Sequence, residues 1–192
     1  GIGGAVARRM AAAGFVVIVA DYDHDAAENV RGEIVAAGGK ADALSVDVTQ
    51  SREVKAAVTD VEKRFGRIDV LVTGAGVRVF GTVLDMTEED WDRILGVNLK
   101  GVSFSCKAVL PQMIRQKSGA LVLIGSTTAL TGRTNMPLYD ATKFGVLSLT
   151  RSLAAAYGKD GIRVNAVCPS LTLTEFHFKK AAAEGLSPEQ LR

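Results

Sequence analysis

Ser126, Tyr139 and Lys143 are three side chains whose types and spacing could move a proton and hold an oxygen. Tyr139 and Lys143 stand four residues apart, which on a helix places them on one face, and Ser126 follows closely on the apolar run 120–124. A phenol, with a pKa of about 10, is a poor base at neutral pH unless a nearby cation stabilises its phenolate. A lysine ammonium roughly 5 Å away, at an effective dielectric of about 20, contributes about 3 kcal/mol, or about two pKa units. Ser126 would then hold the oxygen of an alcohol or a ketone beside the phenol.

Such a trio needs elements that position it, and the apolar periodicity supplies them. Residues 4–13 are helix formers that stop at Gly14, and the buried-strand run 15–20 closes on Asp21. A helix over 24–37 ends at Gly38 and Gly39, a strand over 41–46 ends at Asp47, and a helix over 51–65 stops at Gly66. The strand 68–73 meets Gly74, Ala75 and Gly76, and one long helix over 88–116 carries Asn98 between Gly96 and Gly101. Strand 120–125, helix 138–157 and strand 162–167, ended by Cys168 and Pro169, complete the series. Short strands alternating with longer helices predict right-handed βαβ crossovers: an α/β, doubly wound, Rossmann-like parallel sheet forming a single domain over residues 1–192. Asp21, Asp47, Gly74, Ser126 and Pro169 then fall at the carboxyl ends of strands, on the one rim where such sheets bind ligands.

Composition narrows the partners. With 192 residues, 47% of them hydrophobic, the chain can bury a sizeable core. A formal net charge of +2, with no basic block, gives no reason to expect nucleic acid or a membrane surface as partner, and the cytoplasm is the expected compartment. Cys106 and Cys168 read as reduced thiols and His24 and His177 as isolated, so no metal site is expected.

These residues resemble the short-chain dehydrogenase/reductase family over nearly the whole chain. Gly1, Ile2 and Gly3 are similar to the end of its glycine-rich turn, which cradles a pyrophosphate at a helix N-terminus. The resemblance makes Asp21 the acid that accepts from both adenosine ribose hydroxyls, and Asp47 and Val48 the pair at the adenine. Gly74, Ala75 and Gly76 resemble the segment on which the cofactor packs, with Thr73-Gly74 standing where the family has two asparagines. Pro169, Ser170 and Thr174 resemble the residues lining the nicotinamide carboxamide, with Ser170 in place of a glycine. Ser126 precedes Tyr139 by the family's spacing of thirteen, and Asn98 matches its helix asparagine.

The resemblance implies an NAD(H)-dependent oxidoreductase that interconverts a secondary alcohol and a ketone. In it Tyr139 exchanges the proton, Ser126 holds the oxyanion, Lys143 supports the phenolate and binds the nicotinamide ribose, and Asn98 links the relay to solvent. The alternatives are an NADPH-dependent carbonyl or 3-oxoacyl reductase, against which Asp21 followed by Tyr22, Asp23 and His24 argues, and a non-catalytic dinucleotide-binding protein of the same fold. Arg78, Thr128, Met136 and Phe176 are the expected pocket residues, and Arg78 or Arg133 could pair with an anionic substrate. A homodimer or homotetramer built on the two long helices is expected. Measured against the family, the chain reads as a fragment without the first strand and the final strand and helix, which would leave the strands ending at Asp21 and Thr73 facing a gap.

Overall fold

The structure is a computed structural model, and it describes residues 1–174 and, beyond them, Phe178 and Ala183. Helix α1 spans Ile2–Ala12 and buries Ala7 and Ala11. Gly1 is its N-cap, so Gly1, Ile2 and Gly3 form the first helical turn and not the preceding loop that the glycines suggested. Gly14, at φ +90°, turns the chain into strand β1, Val16–Asp21. Asp23 caps helix α2, His24–Ala36, by accepting from the Ala26 N–H at 3.0 Å. Strand β2, Lys40–Ser45, pairs parallel with β1, and helix α3, Ser51–Phe65, follows. Ala7, Ala11 and Ile34 form a small core with Val17, Val19, Val30 and Ala41 on this pair of strands.

Strand β3, Val70–Thr73, leads through a loop to helix α4, Glu88–Leu95, which Thr87 and Asp90 hold by a reciprocal capping box. The long helix expected over 88–116 is interrupted: a π-helical turn over Gly96–Lys100 separates α4 from α5, Gly101–Gln116, and places Asn98 in the widened turn. Gly101 is required there by close approach, because a Cβ on it would stand 2.8 Å from Val48 Cγ2 and 3.2 Å from the Val48 carbonyl oxygen. Strand β4, Gly119–Ile124, is followed by a single-turn helix α6, Thr128–Thr131, and by helix α7, Pro137–Tyr157, with proline at its first position. Strand β5, Ile162–Val167, closes the series. The main core lies between β4, β5, α5 and α7, where Met113, Leu121, Leu123, Val146 and Ile162 are all but inaccessible.

The gap expected between the strands ending at Asp21 and Thr73 is present, and the strands do not form one continuous sheet. They group as a parallel pair, β1-β2, and a parallel triplet ordered β3-β4-β5. The edges of β1 and β3 are not paired to each other, and an apolar cleft of about 140 Å³ lined by Ala20, Val46, Val58, Leu71 and Val102 lies between the two sheets. Continuity would need ladder hydrogen bonds between β1 and β3, and no described strand supplies them. The chain is nonetheless Rossmann-like α/β: parallel strands, helical crossovers and helices packed against both sheets. No helix among the described residues is long and apolar enough to cross a membrane.

Candidate active site

Helix α7 carries two of the three residues with which the sequence reading began. Tyr139 and Lys143 sit one turn apart, and Lys143 Nζ lies 5.5 Å from the centroid of the Tyr139 ring. Lys143 is 4% exposed and donates to the Ile124 carbonyl oxygen at 2.8 Å, which ties α7 to the end of β4. Burial pushes the Lys143 ammonium down from the ordinary 10.5 to about 8, the positive charge of Arg78 adds to this, and Cys168 opposes it. Cys106 is a different case, since burial alone pushes its thiol up to about 12.

Ser126 lies just past that same strand end. The Gly125 N–H donates to the Val167 carbonyl at 2.8 Å and the Thr127 N–H to the Pro169 carbonyl at 3.1 Å, so the β4–β5 pairing continues around Ser126 and brings Pro169 beside it. Gly125 is tightly enclosed, a Cβ there meeting Cys168 Sγ at 3.0 Å and Leu147 Cδ2 at 3.1 Å. Ser126 Oγ stands 2.8 Å from Thr128 Oγ1 and accepts from the Thr128 N–H at 3.3 Å.

Asn98, fully buried, uses its whole amide as a clamp. Its Oδ1 accepts from the Val77 N–H at 2.8 Å, and its Nδ2 donates to the Val77 carbonyl at 3.0 Å and to Thr142 Oγ1 at 3.3 Å. This joins the loop after β3 to α7 at the residue before Lys143. A Cβ on Gly76 would stand 3.6 Å from Asn98 Oδ1 and 3.8 Å from Lys143 Nζ, so both groups approach the backbone at Gly76. Thr73, where the resembled family has an asparagine, accepts from the Ile124 N–H at 3.4 Å and so retains a lateral tie between β3 and β4.

The remaining sequence-predicted residues divide between the two sheets. Gly3 meets the triplet side: a Cβ on Gly74 would sit 3.4 Å from Gly3 Cα, so the start of α1 and the segment Gly74, Ala75, Gly76 share a cradle that a side chain would fill. Asp21 ends β1 with an exposed carboxylate whose Oδ1 accepts from the Asp23 N–H at 3.1 Å. Asp47 is held by Thr49, whose N–H and hydroxyl both donate to its Oδ1 at 2.8 Å, and Val48 packs on Gly101. Ser170 and Thr174 follow Pro169 in the loop after β5.

Two expectations for the substrate pocket change. Met136 is 2% exposed and packs as core, because Pro137 starts a helix there and Leu138 on its first turn is buried beside it. Thr128, by contrast, stays a candidate beside Ser126, its hydroxyl 2.8 Å from Ser126 Oγ. Arg133 pairs with Asp140, donating from Nη2 to Oδ1 at 2.8 Å, and its guanidinium carbon lies 5.2 Å from the Tyr139 ring centroid. Arg78 faces Lys143 electrostatically, and Phe176 and His177 lie outside the described residues. Asp140 is the residue the sequence reading passed over. Its buried Oδ2 has no hydrogen-bond partner among the described residues, and the available signal was an acid directly after Tyr139 in the first turn of the helix. Among the described residues no group of three or more His, Cys, Asp or Glu side chains could hold a metal ion.

Comparison with known proteins identifies the family. The family described as short chain dehydrogenase matches residues 1–185. Meso-2,3-butanediol dehydrogenase of Serratia marcescens is 40% identical over 174 residues, which is 91% of this chain and 68% of that protein. The 3-oxoacyl-(acyl-carrier-protein) reductase FabG of Staphylococcus epidermidis is 38% identical over 193 aligned positions, covering 100% of this chain and 78% of the relative. The crystal structure of a metagenomic short-chain oxidoreductase in complex with NADP superposes with a TM-score of 0.86 at 35% identity, over 90% of this chain and 78% of that one.

Proposed function

Because the chain belongs to the short-chain dehydrogenase family, we propose that it is an NAD(H)-dependent oxidoreductase that interconverts a secondary alcohol and a ketone. The observation that carries this reading is the buried Lys143 ammonium 5.5 Å from the Tyr139 ring. A proton-abstracting tyrosine needs a cation at hand, and Lys143 is the one this helix supplies. In the oxidising direction Tyr139 takes the hydroxyl proton of the alcohol, and in the reducing direction it returns it. Ser126 donates to the substrate oxygen as charge develops there. We assign to Asn98 the link from Lys143 toward solvent, supported by the approach of both groups to Gly76.

The residues fit a dinucleotide. The cradle between Gly3 and Gly74 leaves room that a Cβ would fill, and the N–H groups of Gly1, Ile2 and Gly3 at the start of α1 suit a pyrophosphate. Asp21 would take the adenosine ribose hydroxyls, Asp47 and Val48 would flank the adenine, and Gly74, Ala75 and Gly76 would pack along the cofactor. Pro169, Ser170 and Thr174 would hold the carboxamide, and Lys143 the nicotinamide ribose. When bound, the nicotinamide supplies the acceptor or donor of the carbon-bound hydride.

A second reading, with NADP(H) as cofactor, is favoured by the NADP that the metagenomic relative binds. Against it stands the exposed carboxylate of Asp21 at the end of β1, which would repel a 2′-phosphate. We also place the protein in the cytoplasm as a homodimer or homotetramer. The test is a panel of secondary alcohols and ketones assayed on the intact gene product with NAD(H) and NADP(H) in parallel. Turnover with NAD(H) at the higher catalytic efficiency is the expected result, a preference for NADP(H) selects the second reading, and no turnover on any member returns the non-catalytic alternative.

A further inference from the structure

The proposed chemistry asks one thing of Ser126 that a serine does not guarantee: its single proton must point at the substrate oxygen. A hydroxyl has one donor and two acceptor sites. Among the described residues both hydrogen bonds at Ser126 Oγ are made with one residue. The Thr128 N–H donates to it at 3.3 Å, and Thr128 Oγ1 lies 2.8 Å away in a contact where either hydroxyl can donate.

We propose that Thr128 is the positioning residue of Ser126, filling both of its acceptor sites so that its proton is left to donate to the substrate. The inference rests on the reading of Ser126 as the donor to the substrate oxygen. With no substrate present, either hydroxyl can donate its own proton to the other oxygen. When a carbonyl or alkoxide oxygen arrives, the Ser126 O–H turns to it and the Thr128 O–H takes over as donor within the pair. The Ser126 O–H then belongs to a chain of hydrogen bonds, and a hydroxyl that accepts in such a chain is a stronger donor. Local structure holds the arrangement in place. Thr128 begins the single turn α6, which the Gly132 N–H closes on the Thr128 carbonyl at 2.8 Å, while the Thr127 N–H fixes the other side to Pro169. The short Ser126–Thr128 spacing is itself a common turn motif, in which a serine oxygen accepts from the N–H two residues on. The additional hydroxyl contact turns that cap into an orienting device.

The experiment is a double-mutant cycle on the intact gene product, with NADH affinity and thermal unfolding recorded for each variant. Thr128→Val removes the hydroxyl and keeps the shape, Thr128→Ser restores it, and each is made in the parent and in a Ser126→Ala background. The inference expects Thr128→Val to lower kcat about tenfold with KM within about twofold, Thr128→Ser to recover to within about threefold of the parent, and Thr128→Val to change nothing further once Ser126 is alanine. It is overturned if Thr128→Val turns over within twofold of the parent, or if its loss persists undiminished in the Ser126→Ala background, which would make Thr128 an independent contact. If Thr128→Val fails to fold, Thr128→Ala enters the same cycle with the same limits. A Ser126→Ala enzyme that keeps full activity overturns the reading of Ser126 itself, an outcome distinct from a silent Thr128.

Discussion

Lys143 Nζ lies 5.5 Å from the Tyr139 ring centroid and at the same time donates to the Ile124 carbonyl, two residues before Ser126. One side chain thus supports the phenol and secures the strand end that presents the serine. Substitution at either end of this relationship separates chemistry from binding.

Tyr139→Phe removes the proton-exchanging oxygen and leaves the ring between Lys143 and Arg133. Turnover should fall by at least about 10³, with NADH affinity within threefold of the parent by fluorescence titration. Activity within tenfold of the parent would contradict the mechanism.

Lys143→Met should inactivate the enzyme and yet stabilise the fold near neutral pH. With its ammonium pushed down to about 8, the folded chain holds fewer protons at this site than the unfolded chain between pH 8 and the ordinary 10.5. The cost of the buried cation is therefore complete below pH 8 and is relieved as pH rises toward 10.5. Replacing the lysine should add up to about 3 kcal/mol at pH 7, offset by about 1 kcal/mol for the lost bond to Ile124. The advantage should shrink between pH 8 and 10.5. Urea unfolding of both proteins across that range checks it, and a constant difference would argue against the burial effect.

Arg133→Met strands the Asp140 carboxylate, whose other oxygen is already buried without a hydrogen-bond partner among the described residues. The expected loss is about 1–3 kcal/mol of stability. Adding Asp140→Leu should recover part of it, because removing both partners spares the desolvation of an unpaired charge. Thermal unfolding of the single and double variants measures this, and an unchanged Arg133→Met would show that solvent compensates the pair.

Asp21→Ala should narrow the ratio of catalytic efficiencies with NAD and NADP by at least tenfold, since a carboxylate at that strand end repels the 2′-phosphate and accepts from ribose hydroxyls. Steady-state kinetics with both cofactors decides it, and an unaltered ratio would remove Asp21 from cofactor choice.

Leu153→Glu should convert an oligomer to monomers. Leu110, Ile114, Leu149, Leu153 and Tyr157 of α5 and α7 line an apolar groove of about 370 Å³ on the outer side of the triplet, a surface suited to a second copy of the same helices. Light scattering at micromolar concentration is the measurement, and a monomeric parent would refute the assembly.

Tyr139 and Lys143 were legible together because helix periodicity alone puts positions four apart on one face, and Asp21, Thr73 and Ser126 because apolar runs of strand length end at them. The same local rules set the strand–helix alternation and hence the fold class. What depends on contacts across space was decided only in three dimensions. The π-helical turn at Asn98 and the close approach of Gly101 to Val48 are of this kind. Arg133 and Met136 sit in an aperiodic loop, where no repeat tells a solvent-facing side chain from a packed one. Tertiary packing alone turned the arginine onto Asp140 and sank the methionine into the core.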